Sequence, residues 1–222
     1  LDVQRIRSRM LKTHSPQTTR HVLALLKRVI NYGVKSGLVD APNPKTLHFE
    51  MPKLDNEKTE DLSDEQLHSF LQALDADSNQ TVADMVRLIL HSGVRRGEVF
   101  RLQWQDVDFD RGFLTLRNPK GGKTERIPLT DGARAILERQ PRSDSPYVFP
   151  GRGGGPRSDV AKVVRRIRER AGLPKDFRPL HGLRHAFASR MASSGEVELH
   201  VLQKLMTHKT PRMTQRYAHL RD

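Results

Sequence analysis

Apolar residues recur at helical spacing along most of this chain, and glycine and proline punctuate them. Residues 2–12 read as a helix with Arg5, Arg7, Arg9 and Lys12 set among apolar positions. A second helix is expected over Pro16–Ser36, with Ser15 as N-cap and Pro16 at the first helical position. Val22, Leu26 and Val29, with Leu25 and Ile30 beside them, form its apolar stripe, and Gly37 is placed to end it. Pro42, Pro44 and Pro52 then interrupt any regular element, so 41–61 reads as a linker between a helical 1–40 and a second domain at 62–222.

The second domain opens on a capping box, Ser63 with Gln66, ahead of a buried face of Leu67, Phe70, Leu71 and Leu74. Val82, Met85, Val86 and Ile89 make another helical stripe, and a short helix is expected at 95–102. Phe113–Leu116 and Thr124–Leu129 read as two strands around a turn at Gly121 and Gly122. Helices near 131–140, 157–171, 183–194, 197–206 and 210–217 complete the pattern. The fold class is mainly α with a small antiparallel β-sheet, α+β. The glycine-rich run Gly151–Pro156 lacks the Gly-Lys-Ser/Thr ending of a phosphate-binding loop and reads as a connection.

Charge sharpens this picture. The formal net charge is +13, and it is unevenly placed: +6 over 1–58, −6 over 59–90 and +13 over 91–222. Such an excess favours polyanions, because each lysine or arginine set on a phosphate releases a condensed counterion. A membrane is the weaker partner, since no basic amphipathic helix carries a bulky aromatic face and no stretch approaches ~20 apolar residues. With 5% aromatic residues, duplex binding through phosphates fits better than base stacking on single strands. Cysteine is absent, which excludes disulfides and thiolate metal sites and fits a cytoplasmic protein. The chain begins at Leu1 rather than Met, and a piece of a longer protein is expected.

One set of residues carries chemistry. Arg95 stands in His-Ser-Gly-Val-Arg-Arg-Gly-Glu, His181 and Arg184 in His-Gly-Leu-Arg-His, His208 in Met-Thr-His, and Tyr217 nine residues later. Breaking a phosphodiester needs fixed positive donors on its non-bridging oxygens, and a guanidinium presents a planar fork that lysine lacks. Arg95 and Arg184 are the candidate forks. Tyr217 is the candidate nucleophile; a phenol of pKa ~10 must lose its proton to attack. His185 lies four residues after His181, a zinc-like spacing, but the pair lacks the intervening glutamate and an obvious third ligand, so no metal and no cofactor is expected.

In this order the motifs resemble those of the tyrosine recombinase (phage integrase) family, over roughly 62–220 and including Trp104-Gln-Asp-Val-Asp. The resemblance implies the integrase catalytic fold, preceded at 1–40 by the later helices of a partial core-binding domain. It implies metal- and ATP-independent cutting and rejoining of duplex DNA through a 3′-phosphotyrosine. By resemblance, Arg95 and Arg184 clamp the scissile phosphate, His181 is the base, His208 bonds a non-bridging oxygen, and Glu98 and His185 support them. The family's hairpin lysine, which protonates the leaving 5′-oxygen, falls on Lys120, with Lys123 beside it as a phosphate contact. Arg126, Lys162, Arg165 and Arg166 are further phosphate-contact candidates. Double-stranded attachment sites, assembly of a solution monomer into a tetramer on DNA, accessory DNA-bending proteins and a bacterial or phage-encoded, nucleoid-associated role in moving a prophage or other mobile element follow from the same likeness. Two rivals are a DNA-binding relative without catalysis and a type IB topoisomerase that cleaves without synapsis. One departure stands out: the family usually has Leu-Gly-His where this chain has Met206-Thr207-His208, so the turn before the histidine is expected to differ.

Overall fold

The computed structural model describes residues 2–43, 47–54, 62–117 and 123–220. The chain divides into two compact units, Leu1–Lys58 and Thr59–Asp222. The first holds α1 (Asp2–Leu11) and α2 (Pro16–Lys35). Ser15 caps α2, its Oγ accepting from the Thr18 N–H at 3.1 Å, and Gly37 closes it at a φ of 67°. The buried side of α2 is Thr19 and Leu23, not the expected stripe: Val22, Leu25 and Val29 are exposed. The neighbours that decide this within the unit are α1 and the stretch 47–54. Arg20 donates to the Pro52 carbonyl at 3.2 Å and Arg7 pairs with Glu50 at 3.4 Å, so part of the segment read as linker packs back onto the helices.

The second unit is helical around a small sheet. Its helices are α3 (Asp64–Asp75), α4 (Gln80–Ser92), α5 (Arg96–Arg101), α6 (Asp131–Glu138), α7 (Ala161–Arg170), α8 (Pro179–Ser193), α9 (Leu199–Leu205) and α10 (Arg212–Gln215). The sheet runs β1 (Val107–Asp108), β2 (Phe113–Leu116) and β3 (Glu125–Pro128), antiparallel in that order, with Val107 opposite Leu114 and Leu114 opposite Ile127. The Ser63–Gln66 capping box opens α3 as the sequence indicates. Helix α4 is the centre of the core: Val82, Met85, Val86, Leu88 and Ile89 are all buried, and α6 and α8 pack against it.

A buried ion network fastens α4 to the end of α6. The Asp84 carboxylate accepts from Arg87 at 2.7 Å, from Arg139 Nε at 2.9 Å and from Gln140 at 2.6 Å. Burial opposes its charge, but these three donors prevail and hold its pKa below the ordinary value. Removing the carboxylate leaves the buried Gln140 amide without its acceptor and strips the buried Arg87 of one of its two acidic partners, Asp75 being the other. Asp84→Ala is therefore expected to lose about 3 kcal/mol of stability in urea unfolding. A loss under about 1 kcal/mol would show that water replaces the carboxylate at little cost.

Candidate active site

The site is built where three local signals meet. Helix α4 ends at Gly93, which takes a φ of 65°; a Cβ there would lie 2.5 Å from the Phe187 ring and 3.0 Å from Met206 Sδ. Only glycine satisfies both the left-handed turn and that close approach. The chain then turns directly into α5, with Arg95 at the N-cap. The Glu98 carboxylate caps the helix, accepting from the Arg95 N–H at 2.7 Å and from Arg95 Nη1 at 3.1 Å. A buried acid is thus paired with the first fork of the sequence motif.

Helix α8 carries the second motif. It begins at Pro179, four residues earlier than the pattern indicated, so His181, Arg184 and His185 share one helix. Arg184 is buried; its Nη1 donates to the Gly93 carbonyl and its Nη2 to the Met206 carbonyl. Burial and the neighbouring Arg95 charge lower its pKa to about 10, opposed by Glu98 and Tyr217, so it stays charged at neutral pH. Arg95 reaches the same turn from the other side, donating through Nη2 to the Thr207 carbonyl at 2.9 Å. Adjacent carbonyls, 206 and 207, therefore hold one guanidinium each. Two like charges brought together in this way are relieved by an anion placed between them.

Tyr217 lies not on α10 but in the turn after it, ahead of a single 3₁₀ turn at Ala218–Leu220. Its ring is buried in a small cluster with Phe187, Ala188, Ala192, Leu202 and Met206. Its hydroxyl hydrogen-bonds to Nδ1 of His185, and His185 Nε2 lies 3.0 Å from His181 Nε2, the two imidazoles meeting edge to face. The residue that sequence comparison offered only as a supporting side chain thus stands between the phenol and His181. His208 places Nδ1 2.8 Å from the Thr214 hydroxyl.

Burial, reinforced by neighbouring positive charges, lowers the pKa of His185 to about 3 and of His208 to about 4. Both are neutral in the fold at pH 7, while an unfolded histidine takes a proton near pH 6.5. Between these values the unfolded chain binds more protons, so stability is complete above pH 6.5 and is lost as pH falls toward 4. The melting temperature is expected to fall over that window, and to fall less steeply in His185→Gln. Equal slopes in scanning calorimetry would contradict the burial of this imidazole in its neutral form.

The remaining candidates are dispersed. Lys120 lies outside the described residues. Lys123 and Arg126 are exposed, Arg126 on β3, and Lys162 and Arg165 lie on the exposed side of α7 away from buried Val164 and Ile167. Arg166 is different: its guanidinium holds the fully buried Asp77 carboxylate at 2.7 and 2.9 Å, so it serves a structural ion pair. A cleft of about 670 Å³ opens beside Arg95, lined also by Arg101, Thr115, Arg117 and Tyr147. Among the described residues no group of three or more His, Asp or Glu side chains is spaced to hold a metal ion.

Fold and site together set two guanidinium groups on one turn, near a tyrosine hydroxyl bonded to one of two paired histidines. The Phage integrase family model matches residues 60–222, and the chain belongs to that family. It is 38% identical over 143 residues to tyrosine recombinase XerC of Xanthomonas campestris, an alignment covering 61% of this chain and 43% of that protein. It is 26% identical over 209 residues to a tyrosine recombinase of Thermosipho africanus, covering 92% of this chain and 72% of the relative. The chain thus spans under half the length of the XerC relatives it matches. In fold it is similar to the Tn1549 transposon integrase in complex with circular intermediate DNA, with a TM-score of 0.79 at 23% identity, covering 97% of this chain and 79% of that one. A lambda integrase dimer bound to a core site gives a TM-score of 0.77 at 17% identity, covering 99% and 79%. The mainly α architecture with a three-stranded antiparallel sheet is that of integrase catalytic domains.

Proposed function

We propose that this chain is the catalytic part of a site-specific tyrosine recombinase that cuts and rejoins duplex DNA for integration or excision of a mobile element. The observation that carries the reading is the pairing of two converging arginines with a tyrosine already bonded to a histidine. Arg95 and Arg184 bind the non-bridging oxygens of the scissile phosphate and offset the charge that develops on them. The Tyr217 hydroxyl donates to Nδ1 of neutral His185, whose own Nε2–H faces His181, so a proton arriving at Nδ1 is matched by one leaving Nε2 to His181, the proposed base, and none rests on His185. With the Thr214 hydroxyl donating to its Nδ1, neutral His208 keeps a proton on Nε2 to give to a phosphate oxygen.

The phenolate attacks phosphorus, the bond to the 5′-oxygen breaks, and that oxygen takes a proton from Lys120. The protein is left on a 3′-phosphate beside a free 5′-hydroxyl. Attack by a partner strand's 5′-hydroxyl reverses the step, and the energy of the bond is conserved. Lys123, Arg126, Lys162 and Arg165 are the proposed backbone contacts, and a tetramer on two duplexes is the proposed assembly. Among the described residues no helix is long and apolar enough to cross a membrane.

Nicked duplexes carrying candidate element–chromosome junctions, incubated with the protein in chelator and without ATP, test this. Cleavage of the intact phosphodiester close to the nick frees a short leaving fragment, and the expected product is a denaturation-resistant protein–DNA species on a 3′-phosphate. Duplex binding without that species would favour the non-catalytic relative. Resealing without exchange between duplexes would favour the topoisomerase.

A further inference from the structure

Helix α9 ends in a Schellman motif. Past its cap at Met206, the Thr207 N–H donates to the Lys204 carbonyl at 2.9 Å and the His208 N–H to the Gln203 carbonyl at 3.0 Å. The residue between cap and histidine must take a left-handed conformation, a place that glycine normally fills. Here Thr207 takes it, at a φ of 45°, the one non-glycine residue with positive φ among those described. A β-branched side chain is strained in this region, and such strain persists only where the surroundings over-determine it.

The surroundings here are Arg95. Its Nη1 donates to Thr207 Oγ1 at 2.5 Å while its Nη2 donates to the carbonyl of the same residue. The second Nη1–H goes to Glu98. Of five donors, two are thereby spent on the turn and a third on Glu98. The Nε–H and one Nη2–H remain, with no hydrogen bond among the described residues, and they lie along the side edge of the fork. Glycine at 207 would make the same turn without strain and keep the carbonyl contact. It would lack the hydroxyl and, with it, the buried methyl group, and serine restores the hydroxyl alone.

We infer that Thr207 is a positioning residue for Arg95. Its hydroxyl fixes the end edge of the guanidinium, so that the side edge is presented, already oriented, to the scissile phosphate. The inference rests on the reading of Arg95 as a phosphate ligand.

The test compares Thr207→Gly and Thr207→Ser in single-turnover cleavage of the nicked duplex, with apparent Kd and melting temperature measured in parallel. Thr207→Gly is expected to fold and to bind DNA within about twofold of the wild type, yet to cleave about tenfold more slowly at saturating DNA, because orientation and not encounter is lost. Thr207→Ser restores the hydroxyl and is expected to cleave at nearly the wild-type rate. In an Arg95→Lys background, Thr207→Gly should cost no further rate, since the two changes remove one interaction. Wild-type cleavage in Thr207→Gly, or equal slowing in Thr207→Ser, would overturn the inference while leaving the recombinase reading intact. A wild-type chain that forms no covalent species would instead overturn the phosphate reading of the site itself.

Discussion

Tyr217→Phe is expected to abolish the covalent protein–DNA species altogether. The substitution removes one oxygen, and with it the only atom of this side chain able to attack phosphorus. The ring remains in its cluster with Phe187, Leu202 and Met206, so burial of apolar surface is kept. What the fold loses is the hydroxyl's hydrogen bond to His185, a contact worth about 1 kcal/mol. The variant should therefore melt within a few degrees of the wild type and bind duplex DNA with the same salt dependence, since the cationic side chains are untouched. Cleavage by the variant at any rate near that of the wild type would assign the attack to another group. Loss of folding along with cleavage would make the result uninformative about chemistry, so the melting curve belongs to the experiment.

Arg184→Ala is expected to be nearly as severe, and for two reasons that separate experimentally. The first is chemical. Removing one preorganised donor from a developing oxyanion costs about 10²–10³ in rate, and Arg184 supplies a charge as well as a donor. The second is structural. Arg184 donates to the Gly93 and Met206 carbonyls at once, and its loss leaves both buried acceptors to find water, a destabilisation of about 2–4 kcal/mol. Arg184→Lys divides these effects. Its ammonium keeps the charge but cannot span two carbonyls and still face a phosphate. The lysine variant should recover DNA affinity better than cleavage rate. Equal recovery of both would indicate that the charge of Arg184 matters and its planar fork does not.

Much of this was legible in the sequence, where the signal was local. The Ser63–Gln66 box, Ser15 before Pro16 and Gly37 after α2 are caps whose partners lie within a few residues, and each stands where the pattern put it. The motifs around Arg95, Arg184, His208 and Tyr217 were equally visible, because each is a short string of unusual residue types. What was missed depends on distant partners. The two-residue β1 has no alternation to read and exists because Leu114 and Phe113 stand opposite it. Most of the apolar stripe of α2 is exposed, since periodicity locates a stripe without saying which neighbours cover it. Arg166 looked like one of several equal cations on α7 until Asp77, 89 residues earlier, was placed beneath it. The start of α8 was set too late, although Pro179 is a good first helical residue.

The site shows the same division. Sequence comparison offered His181 as the base, but the spacing of His181 and His185 on one helix turn could not say which imidazole the tyrosine would meet. That is set by the turn after α10, which brings the phenol to Nδ1 of His185. Thr207 was visible as a departure from glycine. Its consequence was not, because the partner that makes a strained threonine worth keeping, Arg95, is 112 residues away.

The most direct test of the central claim is to map the covalent bond. Protein trapped on a nicked duplex would be digested with protease and nuclease, and the nucleotide-bearing peptide sequenced by mass spectrometry. The account predicts a single adduct, on the oxygen of Tyr217, joined to a 3′-phosphate. An adduct on Tyr32, Tyr147 or any other side chain, or joined to a 5′-phosphate, would contradict it.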